Sequence, residues 1–156
     1  MDESADREDF SEEVNTALGG FDRAMGLHFL RANVEEVLAE LVIKEQHLQP
    51  YGLVHGGVYS SMIETLCSIG ASLRARQDGC AAVGLENSTS FLRGAREGTL
   101  RGTAVALSTG RRTQMWRAEI RQGRDNKLLA TGNVRLLNLE DGSSVAGGAM
   151  NPSTPR

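Results

Sequence analysis

The sequence predicts an α+β domain in which a mostly antiparallel sheet wraps around one long helix. The first observation is a helical pattern of apolar residues over 56–76, where Glu64 is the only charged residue between Gly56 and Leu73. The second is that the opposite side of this helix carries Ser, Cys and Ala instead of the charges of a surface helix. The third is a series of four strand-like runs after the helix, with short connections that favour antiparallel neighbours. Covering both sides of the helix requires a curled sheet or a partner.

The predicted order of elements is a short helix, two strands, the long helix and four further strands. The short helix covers 10–18, ends at Gly19-Gly20 and is followed by a turn at 21–25. A loop at 47–53 with Pro and Gly precedes the long helix, which ends near 77–79. The strands are predicted at 27–29, 37–43, 81–92, 99–107, 113–121 and 128–139.

The chain length of 156 residues and an apolar content of 40% fit one domain, which we expect at 9–139. An acidic lead at 1–8 and a tail at 140–156, rich in Gly, Ser, Pro and Ala, are expected to be disordered. Two cysteines make no disulfide framework. The sequence has neither a signal peptide nor an apolar run of membrane-spanning length, so we expect a cytoplasmic protein without membrane contact.

Charge is unevenly distributed along the chain, although the net charge is only -3. Residues 1–45 carry twelve acids and four bases, whereas 93–124 carry eight arginines and two acids. Alternating arginines are typical of the solvated face of a sheet, and they also suit an anionic ligand because the guanidinium matches phosphate geometry. The overall acidity and the few aromatic residues argue against a nucleic-acid partner.

A candidate site surrounds the start of the long helix. His55-Gly56-Gly57 precedes it, and free N–H groups at a helix start suit an oxygen that develops negative charge. Glu64 follows eight residues later, which is about 12 Å along the axis. Because a reacting group must lie within roughly 3 Å of both the donor and the carboxylate, Gly56 and Glu64 of one chain are not expected to serve the same atom. Two subunits related by a two-fold axis would bring them together.

These residues resemble a known family. Gln49, the run Gly52-Leu-Val-His55-Gly56-Gly57, Glu64 and Ser68 are similar to the hotdog-fold acyl-CoA thioesterases, most closely the 4-hydroxybenzoyl-CoA and phenylacetate-pathway branch. The resemblance covers roughly 22–138. It implies a sheet wrapped around one helix, homodimers that pair into tetramers, and an acyl-CoA substrate. It implies no metal and no cofactor beyond the coenzyme A of the substrate.

The resemblance also implies residue roles. The Gly56 N–H would polarise the thioester carbonyl, and Glu64 of the facing subunit would attack that carbonyl or activate water. Gln49 and His55 would position the substrate or the surroundings of Glu64, and Ser68 would hold the attacking group or water.

Each of these residues also has a structural interpretation. His55 could form a turn, Gln49 could hold the loop, and Ser68 could be a small residue in a helix contact. Arg111 and Arg112, in a predicted turn, could bind coenzyme A phosphates or lie in a solvated hairpin. Two other functions stay open: an acyl-thioester dehydratase or hydratase with His55 as base, and a module that binds acyl-CoA without catalysis.

Overall fold

The structure is a computed structural model that describes residues 8–150. Eight strands and three α-helices are found in this part of the chain: α1 Ser11–Ala17, α2 Gly20–Met25, β1 Leu27–Ala32, β2 Glu36–Val42, α3 Gly56–Arg76, β3 Cys80–Phe91, β4 Thr99–Thr109, β5 Thr113–Gln122, β6 Leu128–Glu140, β7 Ser144–Val145 and β8 Gly148–Ala149. A 3₁₀ turn, Glu45–His47, lies in the loop before α3. The first six strands form one antiparallel sheet in the order β1-β2-β4-β5-β6-β3.

The predicted arrangement of a long helix against a curled antiparallel sheet is confirmed. Helix α3 contacts every strand of the six-stranded sheet. Its large residues Met62, Ile63 and Leu66 are buried, and so are Cys67 and Ala71 among its small residues. The chain itself therefore covers much of both sides of the helix, while Glu64 and Ser68 stay half-buried.

The contact between α3 and β5 is both close and polar. A Cβ atom at Gly70 would collide with the indole of Trp116, so only glycine lets this side chain fit under the helix. Buried Gln114 donates to the Ala71 carbonyl at 2.9 Å and accepts from Trp116 Nε1 at 2.9 Å. These bonds satisfy polar groups that would otherwise be costly to bury, and they fix the rotation of α3 on the sheet.

Strand β1 is three residues longer than the sequence predicts. Its register with β2 shifts between Phe29 and Arg31, which places Leu30 and Arg31 on the solvent side in succession. A bulge of this kind breaks the alternation by which a strand is identified from sequence. The expected strand at 27–29 therefore stops where the alternation stops.

The tail differs from the expectation in its described part. Strands β7 and β8 form a small antiparallel hairpin after β6 ends at Glu140, and Gly142 and Gly147 have positive φ angles at its turns. Two-residue strands are too short to give a periodic signal. Residues 1–7 of the predicted acidic lead and 151–156 of the tail lie outside the described residues. No helix within 8–150 is both long and apolar enough to cross a membrane.

Candidate active site

The start of α3 is capped by the residue before it. His55 Nδ1 accepts a hydrogen bond from the Gly57 N–H at 2.8 Å, which satisfies one of the free donors of the first turn. Within residues 8–150, no hydrogen bond from the Gly56 N–H is found. The His55 ring thus caps the N-terminus of α3, and the Gly56 N–H stays available to an acceptor.

The loop before α3 is held by its own polar groups. Gln49 Oε1 accepts from the Tyr51 N–H at 2.7 Å, and the Gln49 carbonyl accepts from the Gly52 N–H at 2.8 Å. His47 is buried, with Nδ1 accepting from the Lys44 N–H and Nε2 donating to the Met25 carbonyl, both at 2.9 Å. The Gln49 side chain therefore holds the loop in this chain.

The Glu64 carboxylate is held at both oxygens. Its Oε1 accepts from Ser68 Oγ at 3.3 Å, and its Oε2 accepts from Asn87 Nδ2 at 2.9 Å. A Cβ atom at Gly84 would lie 2.5 Å from Oε1, so a larger residue at this point of β3 would displace the carboxylate. Two donors from two elements fix the direction of the carboxylate, as a general base or nucleophile requires.

Sequence analysis gave Asn87 no role in the site. The Asn87 amide donates both to Glu64 and to the Ser60 carbonyl, the latter at 3.0 Å, and its Oδ1 accepts from Thr89 Oγ1 at 2.6 Å. The alternation of β3 places Asn87, Thr89 and Phe91 on one face. This alternation is a usable signal, but only once β3 is known to lie beside the middle of α3.

Glu64 lines a cleft of about 480 Å³ between α3, α2 and β3. The cleft is lined by Phe21, Ser60, Ser61, Glu64, Thr65, Asn87, Thr89 and Phe91. Gly56 does not line it. The Phe91 ring is close to Gly56, since a Cβ there would lie 2.8 Å from the ring. One chain therefore does not bring the Gly56 N–H and the Glu64 carboxylate to one place, in agreement with the helical rise of about 12 Å between them.

The buried thiol beside Glu64 is held in its protonated form. Burial, and then the negative charge of Glu64, raise the pKa of Cys67 well above its usual range. A thiol is nucleophilic only as the thiolate, so Cys67 is not suited to attack a thioester at neutral pH.

The predicted phosphate contacts and the start of α3 lie at opposite ends of the sheet. Arg111 and Arg112 occupy the turn between β4 and β5, where Asn138 Nδ2 donates to the Gly110 carbonyl at 3.0 Å. Strand β5 leaves this turn level with the start of β3, from which β6 separates it, whereas Gly56 lies beside the last residue of β3. Arg93 and Arg96, two of the eight arginines in 93–124, follow β3 directly; Arg96 donates to the Tyr51 carbonyl at 2.8 Å, next to the loop that leads into α3.

Known proteins share this fold and sequence. The Thioesterase superfamily matches residues 51–129. The proofreading thioesterase EntH of Cronobacter turicensis is 34% identical over 111 residues, which make up 70% of this chain and 80% of EntH. The structure of the thioesterase HI1161 of Haemophilus influenzae is 27% identical, with a TM-score of 0.78 over 83% of this chain and 90% of its own. Rv1847/MT1895 of Mycobacterium tuberculosis is 39% identical, with a TM-score of 0.75 over 77% of this chain and 96% of its own.

The chain belongs to the thioesterase superfamily, and its predicted resemblance to the hotdog-fold thioesterases is confirmed. Because relatives in this family are named thioesterases, the comparisons support a hydrolase that acts on thioesters.

Proposed function

We propose that this protein hydrolyses an acyl-CoA thioester to the free carboxylic acid and coenzyme A, at a site shared between two copies of the chain. The observation that carries the proposal is the Glu64 carboxylate, held by Ser68 and Asn87 at the wall of an open cleft. In the reaction an oxygen nucleophile adds to the thioester carbonyl, the C–S bond breaks, and the sulfur leaves as a thiolate that takes a proton.

Glu64 supplies the base or the nucleophile in this proposal. As a base it accepts a proton from water, which attacks the carbonyl; as a nucleophile it forms an anhydride that water then hydrolyses. Ser68 and Asn87 orient the carboxylate in either route. The Gly56 N–H of the other copy binds the carbonyl oxygen as it gains negative charge, a contact that can lower the barrier by several kcal/mol.

The exposed edge of the sheet supports pairing of two copies. Strand β3 lies at the edge, and most of its residues from Gly84 to Phe91 are exposed. Unpaired edge strands are templates for pairing with another chain. Antiparallel pairing of two β3 strands about a two-fold axis would set the Phe91 end of one copy beside the Cys80 end of the other. This arrangement would carry each Gly56 towards the Glu64 of the facing copy and create two equal sites.

The first test is substitution of the carboxylate. We expect Glu64→Gln to lower kcat by about 10²- to 10⁴-fold, because it removes the proton acceptor while keeping the shape of the side chain. Thiol release from short, medium, long and aromatic acyl-CoAs measures the rate, and circular dichroism verifies the fold. Turnover close to that of the unmodified protein would remove Glu64 from the mechanism.

No thiol release from any substrate, together with acyl-CoA binding, would favour a non-catalytic module, and enoyl-thioester hydration would favour a hydratase.

The second test asks whether the site is shared. Gly56→Pro removes the donor N–H, and it is made in a Phe91→Ala background because the ring would collide with the proline. Mixed dimers of this chain with Glu64→Gln chains, made in the same Phe91→Ala background, hold one intact site and one doubly damaged site if the site is shared. After denaturation and random reassociation of equal amounts, we expect about a quarter of the activity of Phe91→Ala alone. An inactive mixture, with hybrid dimers verified by mass spectrometry, would show that each chain holds its own site.

A further inference from the structure

The six-stranded sheet has two edges, and they differ in how their outer backbone groups are used. The edge strands are β1 and β3. Among residues 8–150, no hydrogen bond is found from the backbone of β3 to any element other than β6, so its outer edge is open. The outer edge of β1 is instead hydrogen-bonded to the chain that precedes it. One edge of the sheet is therefore closed within the chain.

The side chain of Asn15 binds β1 as a residue of a neighbouring strand would. Its Nδ2 donates to the Phe29 carbonyl at 2.8 Å, and its Oδ1 accepts from the Phe29 N–H at 2.9 Å. A primary amide offers the same donor and acceptor as a peptide unit, and paired residues of an antiparallel ladder exchange these same two bonds. Both backbone groups that Phe29 would offer to another strand are therefore occupied.

A second residue of β1 is occupied in the same way. Asp9 Oδ1 accepts from the Ala32 N–H at 2.9 Å, and the Phe10 N–H donates to the Ala32 carbonyl at 2.8 Å. Phe29 and Ala32 are three positions apart instead of two because the register of β1 shifts between Phe29 and Arg31. The segment 9–15 thus follows the irregular edge of this strand and occupies it at two successive points.

Helix α1 is also held on the fold by contacts that do not involve the edge of β1. Val14 packs in the hydrophobic core, and Glu13 forms an ion pair with Arg76 of α3 at 2.6 Å. The strand beneath is mainly apolar, and Leu30 is one of its exposed residues. An apolar edge strand with free N–H and C=O groups is a template for pairing with another chain. The segment 9–15 therefore covers a surface that another strand can use once the segment leaves it.

We propose that the outer edge of β1 is a self-association surface that residues 9–15 keep closed, and that its partner after release is β1 of a second copy. Two copies of one edge strand can pair about a two-fold axis in antiparallel fashion. A copy with only β3 open closes into a pair, whereas a copy with both edges open links to two neighbours and grows into an open-ended array. The segment 9–15 thus limits assembly through sheet edges to two copies. This inference does not depend on the proposed hydrolysis.

Removal of the edge bonds in the full-length chain tests the proposal. Asp9→Ala with Asn15→Ala removes three of the four bonds and keeps Val14 and Glu13 in place. We expect hydrogen exchange of the Phe29 and Ala32 amides to become about tenfold faster or more. The mean mass from light scattering should rise with protein concentration beyond that of the unmodified protein. Unchanged exchange of both amides, or an unchanged mass despite faster exchange, would overturn the proposal.

Two further variants separate this edge from a general loss of stability. Ile120→Val removes one carbon from the core in β5, which β2 and β4 separate from β1, and should leave the mass unchanged. Leu30→Lys, added to the double variant, places a charge on the opened edge and should reverse the rise in mass. Equal growth in Ile120→Val, or growth that persists with Leu30→Lys, would assign the association to another cause and overturn the proposal.

A milder variant covers the case in which the double variant does not fold. Asn15→Ala alone frees Phe29 and leaves the bonds of Ala32, so it should speed exchange more at Phe29 than at Ala32 and still raise the mass. In the unmodified protein, the Phe29 amide should exchange together with the Leu18 amide at the end of α1, since both require release of the same segment. A Phe29 amide that exchanges as fast as an unprotected one, or an unchanged mass of Asn15→Ala at the highest soluble concentration, would overturn the proposal.

Discussion

At the scale of single residues, the site depends on two neighbours that hold one carboxylate. The contact between Glu64 and Ser68 was predictable, because Ser68 lies one turn beyond this lone acid on a helix side made of small residues. Asn87 was not predictable, because its contact with Glu64 spans 23 positions and follows from the register of β3 with β6 and from its approach to α3. The His55 side chain lies at the start of α3 and the Gln49 side chain in the loop before it. Both side chains accept local backbone hydrogen bonds.

Asn87→Asp tests whether this amide positions the carboxylate. The change places a second acid where an amide now donates at 2.9 Å to Glu64. Two adjacent carboxylates do not both ionise readily, so we expect the acid limb of the pH–kcat profile to move to higher pH. Asn87→Ala should lower kcat without that movement. Steady-state rates between pH 4 and pH 9 measure both effects, and identical profiles for the two variants would assign Asn87 a structural role only.

At the scale of elements, α1 is attached to the rest of the fold by charged and polar side chains. The Asp9 carboxylate accepts from the Ala32 and Ser11 N–H groups at 2.9 and 3.0 Å, while Arg76 pairs with Glu13. Burial raises the pKa of Asp9, but hydrogen bonds from Ala32 and Ser11 outweigh it and lower the pKa overall. The hydrogen bond from Arg76 lowers the pKa of Glu13. Both groups therefore favour the folded state when they are ionised.

Glu13→Gln measures the contribution of the ion pair. A lowered pKa in the folded state means that the stabilisation is complete above the ordinary pKa of 4.5 and is lost as pH falls through the lower folded value. Because the Glu13 side chain is half-exposed, we expect a loss of less than about 1 kcal/mol at pH 7. The difference from the unmodified protein should be smaller at pH 3 than at pH 7. Urea unfolding at both pH values measures it, with the exposed Glu12→Gln as control. A difference of the same size at pH 3 would contradict this.

Elements with a regular pattern were predictable from the sequence, and irregular ones were not. The limits of α3 followed from Gly56 at its start and the polar residues near Gln77, and the four strands after it followed from alternation and turn residues. The bulge in β1 and the β7–β8 hairpin were missed, since neither maintains a period for long enough to detect.

At the scale of the whole molecule, two pairs of arginines lie at opposite ends of the sheet. Arg93 and Arg96 lie near the start of α3, and Arg111 and Arg112 lie at the far end. The proposed antiparallel pairing would place the far end of one copy next to the near end of the other. The two pairs would then converge from different copies around the nucleotide phosphates of one substrate.

Removal of each arginine pair tests this arrangement. We expect Arg93→Ala with Arg96→Ala, and separately Arg111→Ala with Arg112→Ala, to raise KM for acyl-CoA at least about fivefold, as loss of charge-assisted phosphate contacts requires. The KM for the matching acyl-pantetheine, which has no nucleotide phosphates, should not change. Steady-state kinetics with both substrates gives the comparison. Equal effects of either double variant on both substrates would show that its arginines do not contact the phosphates.

The two cysteines differ in a way that makes the protein easy to label. The raised pKa and full burial of Cys67 protect it from alkylating reagents, while Cys80 is partly accessible and lines a cavity of about 720 Å³ between α1, the second half of α3 and the start of β3. A maleimide dye should therefore react at one position per chain, without engineering, and its emission would report whether that space is wet or filled. Cys80 is thus a natural site for a fluorescent label beside the cavity.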